Sequence, residues 1–253
     1  MSFNALILAG SRGGADPVAT YAGVSDKALI VVGGATMLER VVVALRAAGA
    51  GRIAVSANAP AVRDEALRLG VAPIDAAAGP SLSTLHGLHA LGAPLLVTTA
   101  DHALLRPEWI TDFLADTPED ADVAALLARE DIIARDAPPT RRTYLRFADG
   151  AWSGCNLFAL RNARAEAAVQ LWMSVEQDRK RPWRIVRRLG PAMLLRYVMG
   201  RLTLADALAR LGAVAGVRAA AVAAHHGLAA VDVDKPDDLD LVAAILAQPS
   251  QST

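Results

Sequence analysis

The chain has a single cysteine, Cys155, among 253 residues. That excludes an internal disulfide framework and any zinc site built from several cysteines. A surplus of one charge is missing too, since 26 Lys and Arg stand against 26 Asp and Glu. Without a basic surplus, general nucleic-acid binding is not expected. Aromatics make up only 4% of the chain, and the abundant alanine suits helices packed closely on a sheet. No apolar run reaches the roughly 20 residues that span a bilayer. No basic stretch with a cleavage site comes before the first apolar run at Ala5, so no signal peptide is read there. A soluble, cytoplasmic protein is the expectation. Hydrophobic residues make up 53% of the chain, enough for one large core or a core with a small appendage.

What is present alternates between two periods. Ala5 to Ala9 is a compact apolar run stopped by Gly10, which reads as a buried strand followed by a glycine-rich loop. Ala28 to Val32 is a second short run. Thr36-Met37-Leu38-Glu39 has the form of a capping box, with Leu38, Val41, Val42, Leu45 and Ala48 at helical spacing behind it. Ile53 to Ala57 predicts a strand and Pro60 to Leu69 a helix ended by Gly70. Ser83 to Leu91 predicts a helix, Pro94 to Thr99 a strand, and Pro107 opens another helix. Later strands are predicted at Val123 to Leu127, Tyr144 to Phe147, Cys155 to Leu160 and within Val214 to Ala223. Val231 to Asp234 reads as a short strand end, Pro236 opens a terminal helix through Leu246, and Pro249 to Thr253 reads as frayed. The fold class is therefore α/β: three layers, with a mainly parallel (mixed) sheet and helices on both faces. A single domain over 1–253 is expected, with a helical insertion at about 162–211.

Four places carry candidate chemistry. Leu8-Ala9-Gly10-Ser11-Arg12-Gly13-Gly14 puts glycines and an arginine at the carboxyl end of a buried strand. Such a loop lets backbone N–H groups approach a phosphate, with Arg12 forking onto its oxygens and Lys27 adding a second cation. The alternative is a surface loop with a solvated arginine. The spacing fits neither the dinucleotide fingerprint nor the P-loop. Asp101 follows an apolar strand, at the edge where open sheets bind ligands, and its hard oxygens suit Mg²⁺ held together with phosphates. The alternative is a turn cap, and His102 beside it reads as structural. Asp232 and Asp234 fall on one face of an extended segment, and either can meet Asp101. Asp237 and Asp238 suit the first turn of the terminal helix. Gly79 and Ser83, in a loop running into a helix, either cap that helix or contact a base or ribose. His86 and His89 read as structural.

This ordered set resembles the MobA-like NTP transferases, over roughly Ala5 to Asp131 and again from Ala229 to the terminal helix. The resemblance rests on Leu8-Ala9-Gly10, Arg12, Lys27-Ala28-Leu29, Gly33-Gly34 and Met37-Leu38. It implies a nucleotide-diphospho-sugar transferase fold of GT-A or Rossmann-like type and an Mg²⁺-dependent nucleotidyltransferase. The loop Leu8 to Gly13 and Lys27 would hold the triphosphate, and Asp101 would bind the metal. Ser83 to Leu88 is similar to a cytidylyltransferase stretch whose serine approaches the base, which tilts the donor towards CTP, with GTP open. Asp234-Lys235-Pro236-Asp237-Asp238-Leu239 is similar to an ending whose first aspartate is the second metal ligand, so the resemblance points to Asp234. Ser153 to Asn156 resembles the stretch lining the acceptor side, with Asn156 as a substrate candidate. Arg12 lies closer to Gly10 than the usual arginine, and the loop before Lys27 is longer.

The implied reaction transfers NMP to a phosphorylated small-molecule acceptor. Two other classes share the features. A glycosyltransferase would use Asp232-Val233-Asp234 as a D-x-D motif, and a regulatory module would bind nucleotide without turnover. From Arg179 to Arg201 every charged residue is basic. That stretch reads as an acceptor-site lid or homodimer surface in preference to a membrane-surface contact.

Overall fold

The computed structural model describes residues 2–10, 14, 16–139, 142–178 and 190–248. Its centre is a sheet built on β1 (Phe3–Leu8), β4 (Ala50–Ser56), β5 (Ala72–Ile74), β6 (Leu95–Thr99), β7 (Val123–Arg129), β9 (Gly150–Leu160) and β10 (Ala219–Ala223). Their order is β10-β7-β9-β6-β1-β4-β5, with β8 (Leu145–Phe147) paired to β9 at the side. The β1–β4, β1–β6, β4–β5 and β7–β10 pairs are parallel. Strand β9 runs against its neighbours, antiparallel to β6, β7 and β8. A small antiparallel ribbon, β2 (Val31–Val32) with β3 (Ala35–Thr36), stands apart.

Parallel strands carry apolar residues on both faces because helices cover both. On β1, Ala5 and Ile7 join one buried cluster and Leu6 the other. The larger cluster takes in α2 (Met37–Ala47), α5 (Pro107–Asp116) and the terminal α10 (Pro236–Ala247) through Leu38, Val41, Ile110, Phe113 and Val242. The second face is closed by α4 (Pro80–Leu91) and α7 (Ala165–Asp178) through Leu88, Ala165 and Val169. Gly87 sets how close α4 comes: a Cβ there would lie 2.4 Å from Leu6 Cδ2.

Several local expectations change. Thr36 caps α2, accepting from Glu39 N at 3.0 Å. Glu39 does not close the capping box, because its carboxylate pairs with Arg68 of α3 (Pro60–Arg68) at 2.7 Å. The helical stretch after Asn162 comprises α7, α8 (Pro191–Val198) and α9 (Leu204–Ala215), with residues 179–189, Pro182 among them, outside the described ones. Helix α9 runs past Val214, and left-handed Gly216 ends it before β10 begins at Ala219. Val231 to Asp234 is not a strand. It is an irregular segment after the 3₁₀ turn Gly227–Ala230. Its alternation is real, with Val231 and Val233 fully buried, yet its recorded ladder-like tie is a single bond, Val233 N to Asp101 O at 3.2 Å. Pro249 to Thr253 lie outside the described residues.

Candidate active site

Parallel strands deliver the site, because their carboxyl ends open onto one edge of the sheet. Gly10 leaves β1 there, with Leu8 O accepting from Ala100 N at 3.0 Å and Ala9 N donating to Ser56 O at 3.0 Å. Ser11, Arg12 and Gly13, predicted to meet phosphate, lie outside the described residues. The turn after β6 presents Asp101, and the 3₁₀ turn Lys27–Leu29 presents Lys27. That turn is capped by Asp26, which accepts from Ala28 N at 3.0 Å.

Lys27 joins the predicted aspartates. Its Nζ lies 2.6 Å from Asp101 Oδ2 and 3.3 Å from Asp234 Oδ1. Burial works against the ammonium, but Asp101 and then Asp234 outweigh it and hold its pKa above the usual lysine value. The backbone bond from Val233 to Asp101 places the two acidic segments side by side. Asp234 N and Lys235 N both donate to Asp238 Oδ2, at 3.1 and 2.9 Å, so Asp238 fixes the start of α10 and the approach of Asp234.

Asp232 faces different partners. Asn156 Nδ2 donates to its Oδ2 at 2.8 Å, and Arg142 Nη1 lies 3.7 Å from Oδ1. Burial, then the charges of Asp234 and Asp101, push its pKa up, against Arg142 and Asn156. Asn156 has a φ of 49° at the irregular stretch of β9. A left-handed non-glycine residue there turns its amide out of the ladder towards Asp232. Arg142, whose side chain is only 8% exposed, is a site residue that the sequence does not single out. It sits in a proline-rich loop, 90 positions from its partner. Its neighbour Cys155 is a buried thiol pushed up to about 12 by that burial, so it is no nucleophile at neutral pH. His102 is likewise buried and pushed down to about 4, a neutral ring beside Trp109.

The nucleotide-side loop is also tied to this edge. Asn58, just beyond β4, holds Ala76 from both sides, donating to its O at 2.8 Å and accepting from its N at 2.9 Å. A Cβ on Gly10 would touch Ala76 Cβ at 3.4 Å, so this loop abuts the β1 loop. Ser83 Oγ accepts from Ala77 N at 2.9 Å, and Gly79 is the N-cap residue of α4. The predicted Gly79 and Ser83 therefore lie on the same edge as Gly10. His89 instead ties α4 to α7 through Glu166 at 3.1 Å.

Two carboxylates converging on one cation can hold a divalent ion. Asp101 Oδ1 is buried and has no hydrogen-bond partner among the described residues. An orphaned anionic oxygen beside a second carboxylate suits a hard cation. Among the described residues no three His, Cys, Asp or Glu are grouped for one ion. Mg²⁺ takes one or two carboxylates and completes its shell with water and phosphate. Among the described residues no helix is long and apolar enough to cross a membrane.

A hypothetical transferase from Thermus thermophilus is 30% identical, covering 94% of this chain and 100% of that one, with a TM-score of 0.81. A CMP:2-keto-3-deoxy-manno-octonic acid synthetase complexed with CTP shares the fold at 18% identity, covering 98% and 99%, with a TM-score of 0.57. So does a 4-diphosphocytidyl-2C-methyl-D-erythritol synthase from Anaerococcus prevotii, at 12% identity, 97% and 98% coverage, and a TM-score of 0.60. No curated protein is similar enough to match the chain. The MobA-like NTP transferase domain matches residues 5–192, and the chain is a nucleotidyltransferase that belongs to this family.

Proposed function

We propose that the chain transfers NMP from an NTP, CTP in preference, to a phosphorylated small-molecule acceptor and releases pyrophosphate. The observation that carries this reading is Lys27 Nζ set between Asp101 and Asp234 at the carboxyl edge of the sheet. An acceptor phosphate oxygen attacks the α-phosphorus and the bond to the β-phosphate oxygen breaks. Such a displacement asks the protein for positioning and for charge. Asp101 and Asp234 are the residues to hold Mg²⁺, which when bound supplies positive charge to the phosphates.

The other roles fall to this chain's own groups. The backbone of Leu8, Ala9, Gly10, Ser11 and Gly13 cradles the triphosphate, and Arg12 pairs with its oxygens. Lys27, freed from the carboxylates, offsets charge on the transferring phosphoryl group. Gly79 and Ser83 border the base, and Asn156 with Asp232 faces the acceptor. The preference for CTP is supported by the Ser83 to Leu88 stretch and by structural neighbours that include a synthetase complexed with CTP and a 4-diphosphocytidyl-2C-methyl-D-erythritol synthase.

Thermal melting with ATP, GTP, CTP and UTP, each with Mg²⁺ and with chelator, tests this. A ligand at ~100 times its Kd adds about 2.7 kcal/mol. Stabilisation led by CTP and lost with chelator is expected. A shift with nucleotide sugars and with no NTP would assign the fold to glycosyl transfer instead.

A further inference from the structure

A cavity of about 400 Å³ opens between the start of α4 and the end of α7, lined by Ala78, Gly79, Ser81, Leu82, Met173 and Glu176 among others. That size is within the range of small-ligand pockets. It begins two residues beyond Ala76, which touches the β1 loop. Among the described residues that line it, Glu176 is the acidic group. Gly79, the N-cap of α4, supplies no side-chain cap of its own. Glu176, 95 positions beyond Ser81, takes that place: its Oε2 accepts from the Ser81 hydroxyl and from Ser81 N at 3.4 Å.

Glycine at 79 is what lets the carboxylate in. A Cβ there would lie 2.5 Å from Glu176 Oε1. Among the described residues Oε1 takes no hydrogen bond, since both bonds from Ser81 go to Oε2. A carboxylate fixed through one oxygen thus keeps the other as an acceptor beside the cavity.

We propose that Glu176 selects the donor base, its free oxygen accepting from the exocyclic amino group of cytosine at the cavity wall and so rejecting uracil. This rests on the nucleotidyltransferase reading above. Cytosine offers an N4 amino donor to a carboxylate, whereas uracil presents O4, an acceptor, at the same place. Two acceptors facing each other leave both unpaired, and a desolvated site penalises that most. Ser81 anchors the carboxylate, and Gly79 sets its approach.

Equilibrium binding of Mg-CTP and Mg-UTP to the full chain, with and without Glu176→Gln, tests the assignment. The native chain is expected to prefer CTP at least tenfold. A glutamine amide can turn to donate or accept, so Glu176→Gln brings the two affinities within about threefold, while Glu176→Asp keeps a preference for CTP. Were Glu176 only the cap of α4, its loss would weaken both nucleotides alike and leave their ratio intact, and that result overturns the proposal. Equal binding of CTP and UTP by the native chain overturns it as well. Binding of no NTP at all would instead remove the transferase reading, and this inference with it.

Discussion

Lys27 bridges two carboxylates that are also the residues proposed to hold a metal, so one cation stands where another is wanted. With no nucleotide bound, the ammonium is shared between Asp101 and Asp234 and offsets one of their two charges. On the proposed function, a bound Mg²⁺ would take over the charge of the two carboxylates and leave Lys27 to pair with the phosphates. Removing it leaves two facing anions, with Asp232 near them. Lys27→Ala is therefore expected to lower the melting temperature without metal and to recover it with Mg²⁺ alone. The native chain should respond several-fold less to the same ion. A variant as indifferent to Mg²⁺ as the native chain would show that the two aspartates do not share an ion.

Among the elements, the 3₁₀ turn Gly227–Ala230 matters most, because it sets where Asp232 and Asp234 emerge. Gly227 lies against α6 (Glu130–Asp136): its N donates to Asp136 Oδ2 at 2.7 Å, and a Cβ would sit 2.4 Å from Ile132 O. Backbone cannot yield there as a side-chain tip can. Gly227→Ala should cost about 1–3 kcal/mol, read by denaturant unfolding, and should weaken Mg-nucleotide binding more than a distant destabilising change of equal size. Loss of stability with unchanged binding would separate this turn from the site. Elements of this kind were hard to read in the sequence. Lys27 and Asp101 stand out in the sequence because each borders an apolar run, whereas the choice of Asp234 over Asp232 rests on the family resemblance alone. Val231 to Asp234 mimics a strand because alternate burial arises wherever an extended segment lies over a core, with or without a ladder. Arg142 and Glu176 gave no local signal, since their meaning lies in partners about 90 positions away.

For the whole molecule, the reversed strand β9 joins the two parallel parts of the sheet, and Asp122 fastens that junction. It accepts from Arg218 N at 2.8 Å ahead of β10 and from Asn162 Nδ2 at 2.9 Å beyond β9. The Arg218 N–H, then Asn162, holds its pKa below the ordinary 3.8. Its contribution is therefore complete above that value and fades as pH falls through the folded-state pKa. Asp122→Ala should lose about 1–3 kcal/mol near neutral pH, and the gap to the native chain should narrow below about pH 4. A gap constant from pH 7 to pH 3 would mean that the carboxylate's charge is not what matters. Helix α8, in contrast, leaves Leu194, Leu195 and Val198 exposed and buries none of its residues.

The most direct measurement is calorimetric titration of CTP into the native chain and into Asp101→Asn, each with Mg²⁺ and with chelator. Asparagine keeps the size of the side chain and removes the charge that binds the ion. Binding to the native chain is expected to depend on Mg²⁺ and to weaken at least tenfold in Asp101→Asn, with both proteins alike in chelator. Binding of equal strength in all four conditions would contradict the claim that Asp101 brings metal and nucleotide together at this edge of the sheet.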